Sequence, residues 1–182
     1  MMIKADADRK EAMSLFSHGD DSNFIHFYLG ADNSLNAVVS GVSFSTEPLS
    51  LDFSSALTHV GMAYDYESGK VQFFANNSYI GSLTDVKASV KYNNSGKVYL
   101  GTFLNDRRAM MFKGEMLEVR LWSKVLSESE IAAYKGKHLT GYERQLIANW
   151  PLRETIGNRA QDRAHGADLT LTDLTWNNVA GY

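Results

Sequence analysis

The sequence predicts an all-β fold, an antiparallel β-sandwich with one short helix. Many short segments alternate apolar and polar residues, and turn-forming residues separate them, as is typical of antiparallel sandwiches. Only two prolines, Pro48 and Pro151, interrupt these segments. The chain has 182 residues, which suits a single domain and suffices to bury a sizeable core.

The predicted strands run from residue 24 to residue 122. In the first, FIHFYL, alternate side chains belong to opposite faces of the strand. Asn76 and Asn77 separate two apolar segments, and because asparagine tolerates positive φ they predict a two-residue hairpin turn. The predicted strands are 24–29, 35–40, 59–66, 70–75, 78–83, 97–103 and 111–122.

One helix is predicted to begin after Ser127. Serine is a favourable N-cap, and Glu130, three residues further on, completes a capping box. Leu126 and Ile131 occupy the two positions of a hydrophobic staple. Gly136 can end the helix because glycine readily adopts the left-handed conformation.

Composition excludes several classes of function. The formal net charge is −3, and no Lys/Arg cluster is dense enough to predict nucleic-acid binding. No apolar run approaches the roughly 20 residues of a membrane-spanning helix, so membrane insertion is not expected. The chain has no cysteine, which excludes disulfides and thiolate metal sites.

Two acids on the predicted strand 111–122 are the first candidates for a catalytic pair. Side chains alternate between faces along a strand, so Glu115 and Glu118 are expected on opposite sides. A glycosidase pair must converge on one bond, about 5 to 9 Å apart, and Leu117 stands where a partner for Glu115 would be needed. We therefore predict no catalytic residues. Glu118 is expected in a surface ion pair and Glu115 at a loop or strand end, with calcium binding as the alternative for Glu115.

The first candidate binding loop is HGDDSN, residues 18–23. Loops on a rigid sandwich are where binding residues concentrate. Asp20, Asp21 and Asn23 carry oxygen atoms that suit calcium or sugar hydroxyls, and an ordinary turn is the alternative. If calcium is bound, its predicted ligands are Asp20, Asp21 and Glu115.

The second candidate binding loop connects two strands and contains Asn105, Asp106, Arg107 and Arg108. Guanidinium groups bind carboxylates and sulfates in a bidentate manner, so Arg107 and Arg108 predict an acidic sugar as ligand. A solvated loop without a ligand is the alternative.

Aromatic and imidazole side chains give a weaker signal. Trp122, Trp150 and Trp176 could stack on sugars, but a place in the core is expected for each. The five histidines show no metal-ligand spacing.

Three segments, read together, are similar to one family. They are HVGMAYDYESGKVQFFANNSYIGS, VYLGTF and MFKGEMLEVRLWSKVLSESEIAAY. Their order and spacing resemble the laminin-G-like, concanavalin A-like jelly-roll family, which includes pentraxins. Leu117 departs from the pattern, because the family usually has an acid there. The resemblance implies a jelly-roll sandwich.

The tail carries a second resemblance to the same family. LTGYERQLIANWPLRETIGNRAQDRAHGADLTLTDLTW, residues 139–176, resembles the segment that often opens such domains. Residues 145–182 are therefore expected to supply a strand that usually stands at the domain start. Either this strand closes the same sandwich as a permutation, with 146–150 pairing beside 114–122, or it begins a next repeat.

The resemblance implies a non-catalytic module that binds carbohydrate or a glycosylated surface. Such a module would be extracellular or secreted, part of a larger exported protein such as an adhesin, a toxin or a polysaccharide-degrading enzyme. Its expected partners are a carbohydrate or glycoprotein surface and other domains of that protein, with calcium as the candidate cofactor. The alternatives are a protein–protein interaction or spacer domain without a small ligand and, thirdly, a glycosidase or polysaccharide lyase.

Overall fold

A computed structural model describes residues 1–20, 23–88, 96–104, 110–172 and 176. This part of the chain is built almost entirely of short strands. The strands are β1 (Met2–Ala5), β2 (Met13–Gly19), β3 (Phe24–Leu29), β4 (Leu35–Val39), β5 (Val42–Ser45), β6 (Thr58–Asp65), β7 (Lys70–Ala75), β8 (Ser78–Thr84), β9 (Lys97–Leu100), β10 (Gly114–Leu117), β11 (Val119–Trp122), β12 (Leu146–Trp150), β13 (Arg159–Ala160) and β14 (Leu169–Thr170). The helices are a 3₁₀ turn at Val86–Ala88 and α1 at Glu128–Tyr134.

Two five-stranded antiparallel sheets dominate the fold. Their strand orders are β5-β4-β3-β2-β9 and β10-β1-β6-β7-β8, and two further pairs are β11-β12 and β13-β14. This architecture confirms the predicted all-β sandwich of the concanavalin A-like class. No helix in the described ranges is long and apolar enough to cross a membrane.

The chain divides into two compact units, which are described separately. The larger unit comprises residues 4–115, and the smaller unit comprises residues 1–3 and 116–182. In the larger unit, side chains from both main sheets meet in one core, where the Phe27 and Phe73 ring centroids are 6.4 Å apart. Leu15, Leu29 and Val71 are fully buried in this unit.

The hairpin between β7 and β8 turns at the predicted residues. Asn76 has φ 48° and Asn77 has φ 71°, the two positive values that a type I′ turn requires. The prediction from asparagine's tolerance of this conformation is therefore confirmed.

The smaller unit contains the predicted helix and tail strand. Ser127 is the N-cap of α1, and both hydrogen bonds of the capping box with Glu130 are present. Gly136 follows the helix with φ 68°, as predicted. β12 pairs antiparallel with β11, with Val119 opposite Trp150. The predicted pairing of 146–150 with this segment is found, while the permutation and next-repeat alternatives stay predictions.

The segment 111–122 is not the single strand that its sequence pattern predicts. β10 ends at Leu117, β11 begins at Val119, and the two strands belong to different sheets. Glu118 lies between them with φ 54°, and its N–H donates to the Pro151 carbonyl at 3.1 Å. The prediction of one continuous strand was therefore wrong, and alternation of side chains cannot be carried across Glu118 to place the two glutamates. The predicted strand 97–103 likewise ends early, at Leu100.

Candidate functional site

The first predicted binding loop is a hydrogen-bonded turn between β2 and β3. Asp20 Oδ1 accepts the Asn23 N–H at 2.9 Å, and the Asp20 N–H donates to the Asn23 carbonyl at 3.1 Å. Ser40 Oγ donates to Asn23 Oδ1 at 2.7 Å. These contacts suit the turn alternative. Asp21 lies outside the described residues, as do all four predicted residues of the second loop, Asn105, Asp106, Arg107 and Arg108.

The third predicted calcium ligand, Glu115, faces a cation of the protein itself. Its carboxylate is 3.9 Å from Lys4 Nζ, and both side chains are more than a third exposed. Nowhere in the described part of the chain do three or more His, Cys, Asp or Glu side chains group as metal ligands would. Because Asp21 is outside that part, calcium binding stays a prediction.

Glu118 makes a buried ion-pair network, so the predicted surface ion pair was wrong. The residue is only 8% exposed. Its Oε1 accepts from Arg153 Nη2 at 2.5 Å, and its Oε2 accepts from Arg120 Nη2. Arg120 also donates to the carbonyl of Tyr134 at the end of α1. This carboxylate therefore holds the fold at the break between β10 and β11.

The tryptophans serve the packing of the smaller unit. Trp150 is 2% exposed, and its Nε1 donates to the Ala167 carbonyl at 2.8 Å. Trp122 stacks on Tyr134 with ring centroids 4.9 Å apart. Trp176 Nε1 donates to the Gly157 carbonyl at 2.8 Å. The expected core position is confirmed for Trp150, and the other two rings are half-buried.

A serine and a histidine lie side by side in the larger unit but are inaccessible. His26 Nε2 is 3.1 Å from Ser14 Oγ, and the two residues are 3% and 0% exposed. The Phe103 ring lies over His26 with a centroid distance of 4.5 Å. Burial lowers the pKa of His26 to about 4, so its imidazole is neutral at physiological pH. A substrate has no access to this pair, which therefore belongs to the packing.

An open cleft in the larger unit is the stronger candidate for a binding site. We call it the arginine cleft, and its volume is about 240 Å³. It is lined by Asp6, Ala7, Arg9, Ala31, Asn33, Asp52, Phe53 and Ser54. Three connections meet there: those between β1 and β2, between β3 and β4, and between β5 and β6.

Hydrogen bonds between these connections hold the arginine cleft in shape. Arg9 Nη1 donates to the Gly30 carbonyl at 2.7 Å, and Arg9 Nη2 donates to Asn33 Oδ1. Asn33 Nδ2 in turn donates to the Leu51 carbonyl at 3.2 Å. Asn33 has φ 70°, a left-handed value that asparagine tolerates better than most residues. The cleft is therefore organised before any ligand arrives.

The charges of the arginine cleft are a guanidinium and two carboxylates. Burial lowers the pKa of Arg9, while the charge of Asp32 acts in the opposite direction. Arginine nevertheless stays protonated in proteins. The Asp52 pKa lies below its usual range, chiefly because the Ser54 hydroxyl and N–H donate to its carboxylate. Asp52 is therefore an ionised hydrogen-bond acceptor at neutral pH.

In each carboxylate of the arginine cleft, Asp6 and Asp52, one oxygen accepts hydrogen bonds from nearby groups of the protein. Asp52 Oδ1 accepts from Ser54 N at 2.9 Å and from Ser54 Oγ at 2.6 Å, and Asp6 Oδ1 accepts from Asp8 N at 3.3 Å. Ser55 also donates to the Asp52 carboxylate and contributes to its lowered pKa. Both carboxylates are exposed and can accept further hydrogen bonds, so the cleft combines acceptors with a guanidinium donor, which is a suitable set for a polyhydroxylated ligand.

A second cleft, of about 250 Å³, lies in the smaller unit. It is lined by Glu154, Ile156, Gly157, Asn158, Arg159, Gln161 and Asp168. Arg159 already pairs with Asp168 at 2.9 Å, and Glu154 Oε1 accepts from Gln161 N at 2.9 Å. Glu154 Oε2 is buried and has no hydrogen-bond partner in the described part of the chain. Because its cation is already paired with an acid, this cleft is the less suitable of the two for a ligand.

Sequence reasoning did not find the residues of the arginine cleft. Asp6, Arg9, Asn33 and Asp52 lie on three connections, and no short motif joins them. DADR, residues 6–9, is the one charged string among them, and such strings are common on solvated loops. Only the fold brings these side chains together.

Comparison with known proteins identifies the family to which the chain belongs. The chain belongs to the concanavalin A-like lectin/glucanases superfamily, because the Laminin_G_3 family model matches residues 1–132. The resemblance inferred from the sequence is thereby confirmed. A comparison with curated proteins gave no match.

Solved structures share the fold at low sequence identity. The CBM40 of the Ruminococcus gnavus IT-sialidase superposes with a TM-score of 0.59 at 18% identity, covering 75% of this chain and 80% of that one. A putative carbohydrate binding protein from Bacteroides ovatus gives 0.58 at 16%, covering 97% and 58%. The heptameric SAP-like pentraxin of Limulus polyphemus gives 0.54 at 19%, covering 72% and 65%.

Proposed function

We propose that the protein is a non-catalytic carbohydrate-binding module that binds its ligand in the arginine cleft. The observation that carries this proposal is a preorganised cleft of about 240 Å³ whose lining includes a guanidinium donor, Arg9, and two carboxylate acceptors, Asp6 and Asp52. Each sugar hydroxyl both donates and accepts hydrogen bonds. Neighbouring hydroxyls can therefore bind a carboxylate and a guanidinium at the same time.

Similar structures support this proposal at the level of the fold. The Ruminococcus gnavus CBM40 has been solved bound to α2,3 and α2,6 sialyllactose, and the Bacteroides ovatus protein is described as a putative carbohydrate binding protein. A sandwich of this class therefore accommodates sugars. We also propose that this module is extracellular and belongs to a larger exported protein. The loops at 20–23 and 105–108 would provide additional contacts with the sugar. Asp20, Asp21 and Glu115 would be the ligands if calcium is bound.

A second candidate function is hydrolysis, because two carboxylates line the arginine cleft. A glycosidase needs a general acid that stays protonated near neutral pH, which requires a raised pKa. The lowered pKa of Asp52 favours an acceptor over an acid. This observation supports binding without turnover, and a reducing-sugar assay on the glycans that bind would detect any hydrolysis.

The proposal is tested by a glycan array followed by calorimetry on the strongest glycan. We expect Arg9→Gln to weaken binding by tenfold or more, because it removes the charged donor of the cleft. Lys10→Gln is the matched control, since Lys10 is an exposed neighbouring cation outside the cleft lining. A folded protein that binds no glycan would contradict the proposal and favour the protein-interaction or spacer alternative. Repeating the titration with calcium and with a chelator tests the ion.

A further inference from the structure

We infer that the arginine cleft selects neutral glycans and disfavours sialylated, uronic or sulfated ones. This inference rests on the proposed function and adds the class of sugar. It opposes the acidic ligand that the sequence predicts from Arg107 and Arg108, two residues outside the described ranges. Two features support it: the charges around the cleft and the hydrogen bonds that Arg9 already makes within the protein.

The surroundings of the arginine cleft are rich in carboxylates. On the three connections that form it, acids outnumber bases, and apart from the half-buried Arg9 all of these groups are exposed. The acids are Asp6, Asp8, Glu11, Asp32, Glu47 and Asp52, and the bases are Arg9 and Lys10. An anionic group entering the cleft therefore meets a net negative field, which like-charge repulsion makes unfavourable.

Arg9 does not compensate for that field, because its guanidinium already has partners. Two of its five N–H groups donate to the Gly30 carbonyl and to Asn33 Oδ1. Both acceptors are uncharged, and the positive charge of Arg9 also interacts with Asp32. A ligand carboxylate would therefore share the guanidinium with two protein acceptors and with the charge of Asp32. A single sugar hydroxyl can accept from one remaining N–H without disturbing them.

The cleft carboxylates also favour a neutral sugar. Asp6 and Asp52 are exposed, and each has acceptor sites beyond those that the protein's own donors occupy. A carboxylate accepts hydrogen bonds and donates none. A sugar hydroxyl satisfies it as a donor, whereas a ligand carboxylate or sulfate offers only further acceptors. The ligand best matched to the cleft therefore presents two adjacent hydroxyls and no anionic group.

The test uses neutral glycans paired with their sialylated or sulfated derivatives, including lactose with α2,3-sialyllactose. We expect the neutral member of each bound pair to bind tenfold or more tightly at low salt, with the gap narrowing as salt screens the repulsion. The double variant Asp6→Asn/Asp52→Asn should weaken neutral binding and raise the acidic-to-neutral affinity ratio. Glu47→Gln is the matched control, since Glu47 is an exposed acid on the same connection as Asp52 but outside the cleft lining.

The outcomes separate this inference from the proposed function. If the folded protein binds no glycan, the proposed function fails, and the inference fails with it. If glycans bind but the acidic member of each pair is preferred, the inference is overturned while the proposed function stands. Equal selectivity of the parent and the Asp6→Asn/Asp52→Asn protein also overturns it, because the cleft carboxylates would not set the preference.

Discussion

Two carboxylates of the smaller unit, Asp162 and Glu118, differ from those of the arginine cleft in how fully the protein's own donors use their oxygens. Asp162 accepts four backbone N–H groups, from Asn149 at 2.8 Å, Ala164 at 2.9 Å, and His165 and Ala167 at 3.0 Å. Glu118 has an arginine on each oxygen. The exposed Asp52 carboxylate, in contrast, accepts from Ser54 through Oδ1 and has further acceptor sites that water or a ligand can use.

This difference separates acids that hold a fold from acids that can serve a ligand. A buried carboxylate must be compensated, because leaving it without partners costs far more than a hydrogen bond returns. An exposed carboxylate with further acceptor sites is solvated by water, which a ligand can displace. The number of occupied acceptor sites, read from the structure, is thus a better indication of function than the presence of an acid on a strand.

The largest effect is expected at Glu118. Replacing it in Glu118→Ala leaves Arg120, whose side chain is 11% exposed, without its counter-charge. Breaking a buried ion pair in this way costs about 3–5 kcal/mol of unfolding free energy. Urea denaturation followed by tryptophan fluorescence measures it. A loss below about 1 kcal/mol would show that Glu118 does not differ from the exposed acids.

Asp162→Ala is expected to cost about 2–3 kcal/mol, because several backbone donors lose their acceptor. Burial raises the Asp162 pKa, but the four N–H donors outweigh this, and the net pKa is lowered from 3.8. A lowered folded-state pKa contributes stability above about 3.8, which is lost as pH falls through the folded value. Thermal melts from pH 7 to pH 2 should therefore show a weaker acid dependence in Asp162→Ala than in the parent. Parallel curves would contradict this role.

Glu115→Gln should change the unfolding free energy by no more than about 0.5 kcal/mol, since its partner Lys4 is 3.9 Å away in a solvated pair. The comparison with Glu118, three residues later, is the sharpest internal control that the chain offers. We expect the small effect to vanish at high salt, where exposed charges are screened. Stabilities of both variants measured at low and high salt would show the contrast.

Asp52→Asn should have the smallest effect on stability, with an unchanged melting temperature. Asparagine retains an oxygen that can accept from Ser54, so the turn survives the substitution. Ligand binding is where this variant should differ from the parent. A clear drop in melting temperature would place Asp52 among the acids that hold the fold.

Local features of this fold could be predicted from the sequence. The Asn76–Asn77 hairpin and the capping box at Ser127 depend on adjacent residues, and both occur as predicted. The break at Glu118 could not be predicted, because apolar and polar residues alternate through it from Leu117 to Leu121. Its cause is nonlocal: the Glu118 N–H bonds to the Pro151 carbonyl, and the distant Arg153 joins the nearby Arg120 at the Glu118 carboxylate.

The candidate site could not be predicted from the sequence for a related reason. A pattern along the chain indicates which residues share a strand face, but not which connections meet. Asn33 contacts Arg9 through its side chain oxygen and Leu51 through its side chain nitrogen. These side chains come into contact only when the fold brings the three connections between strands together.

The strand order β5-β4-β3-β2-β9 has a consequence for the order of folding. Four of these strands are sequential neighbours joined by short turns, whereas β2 pairs with β9 through Phe16 opposite Leu100. Local pairs close at a lower entropic cost than distant ones, so we expect the four-strand meander to form before β9 docks. Ala37→Gly in β4 should then slow refolding, while Val98→Ala in β9 should mainly accelerate unfolding. Stopped-flow refolding and unfolding rates at several urea concentrations distinguish this order from simultaneous assembly.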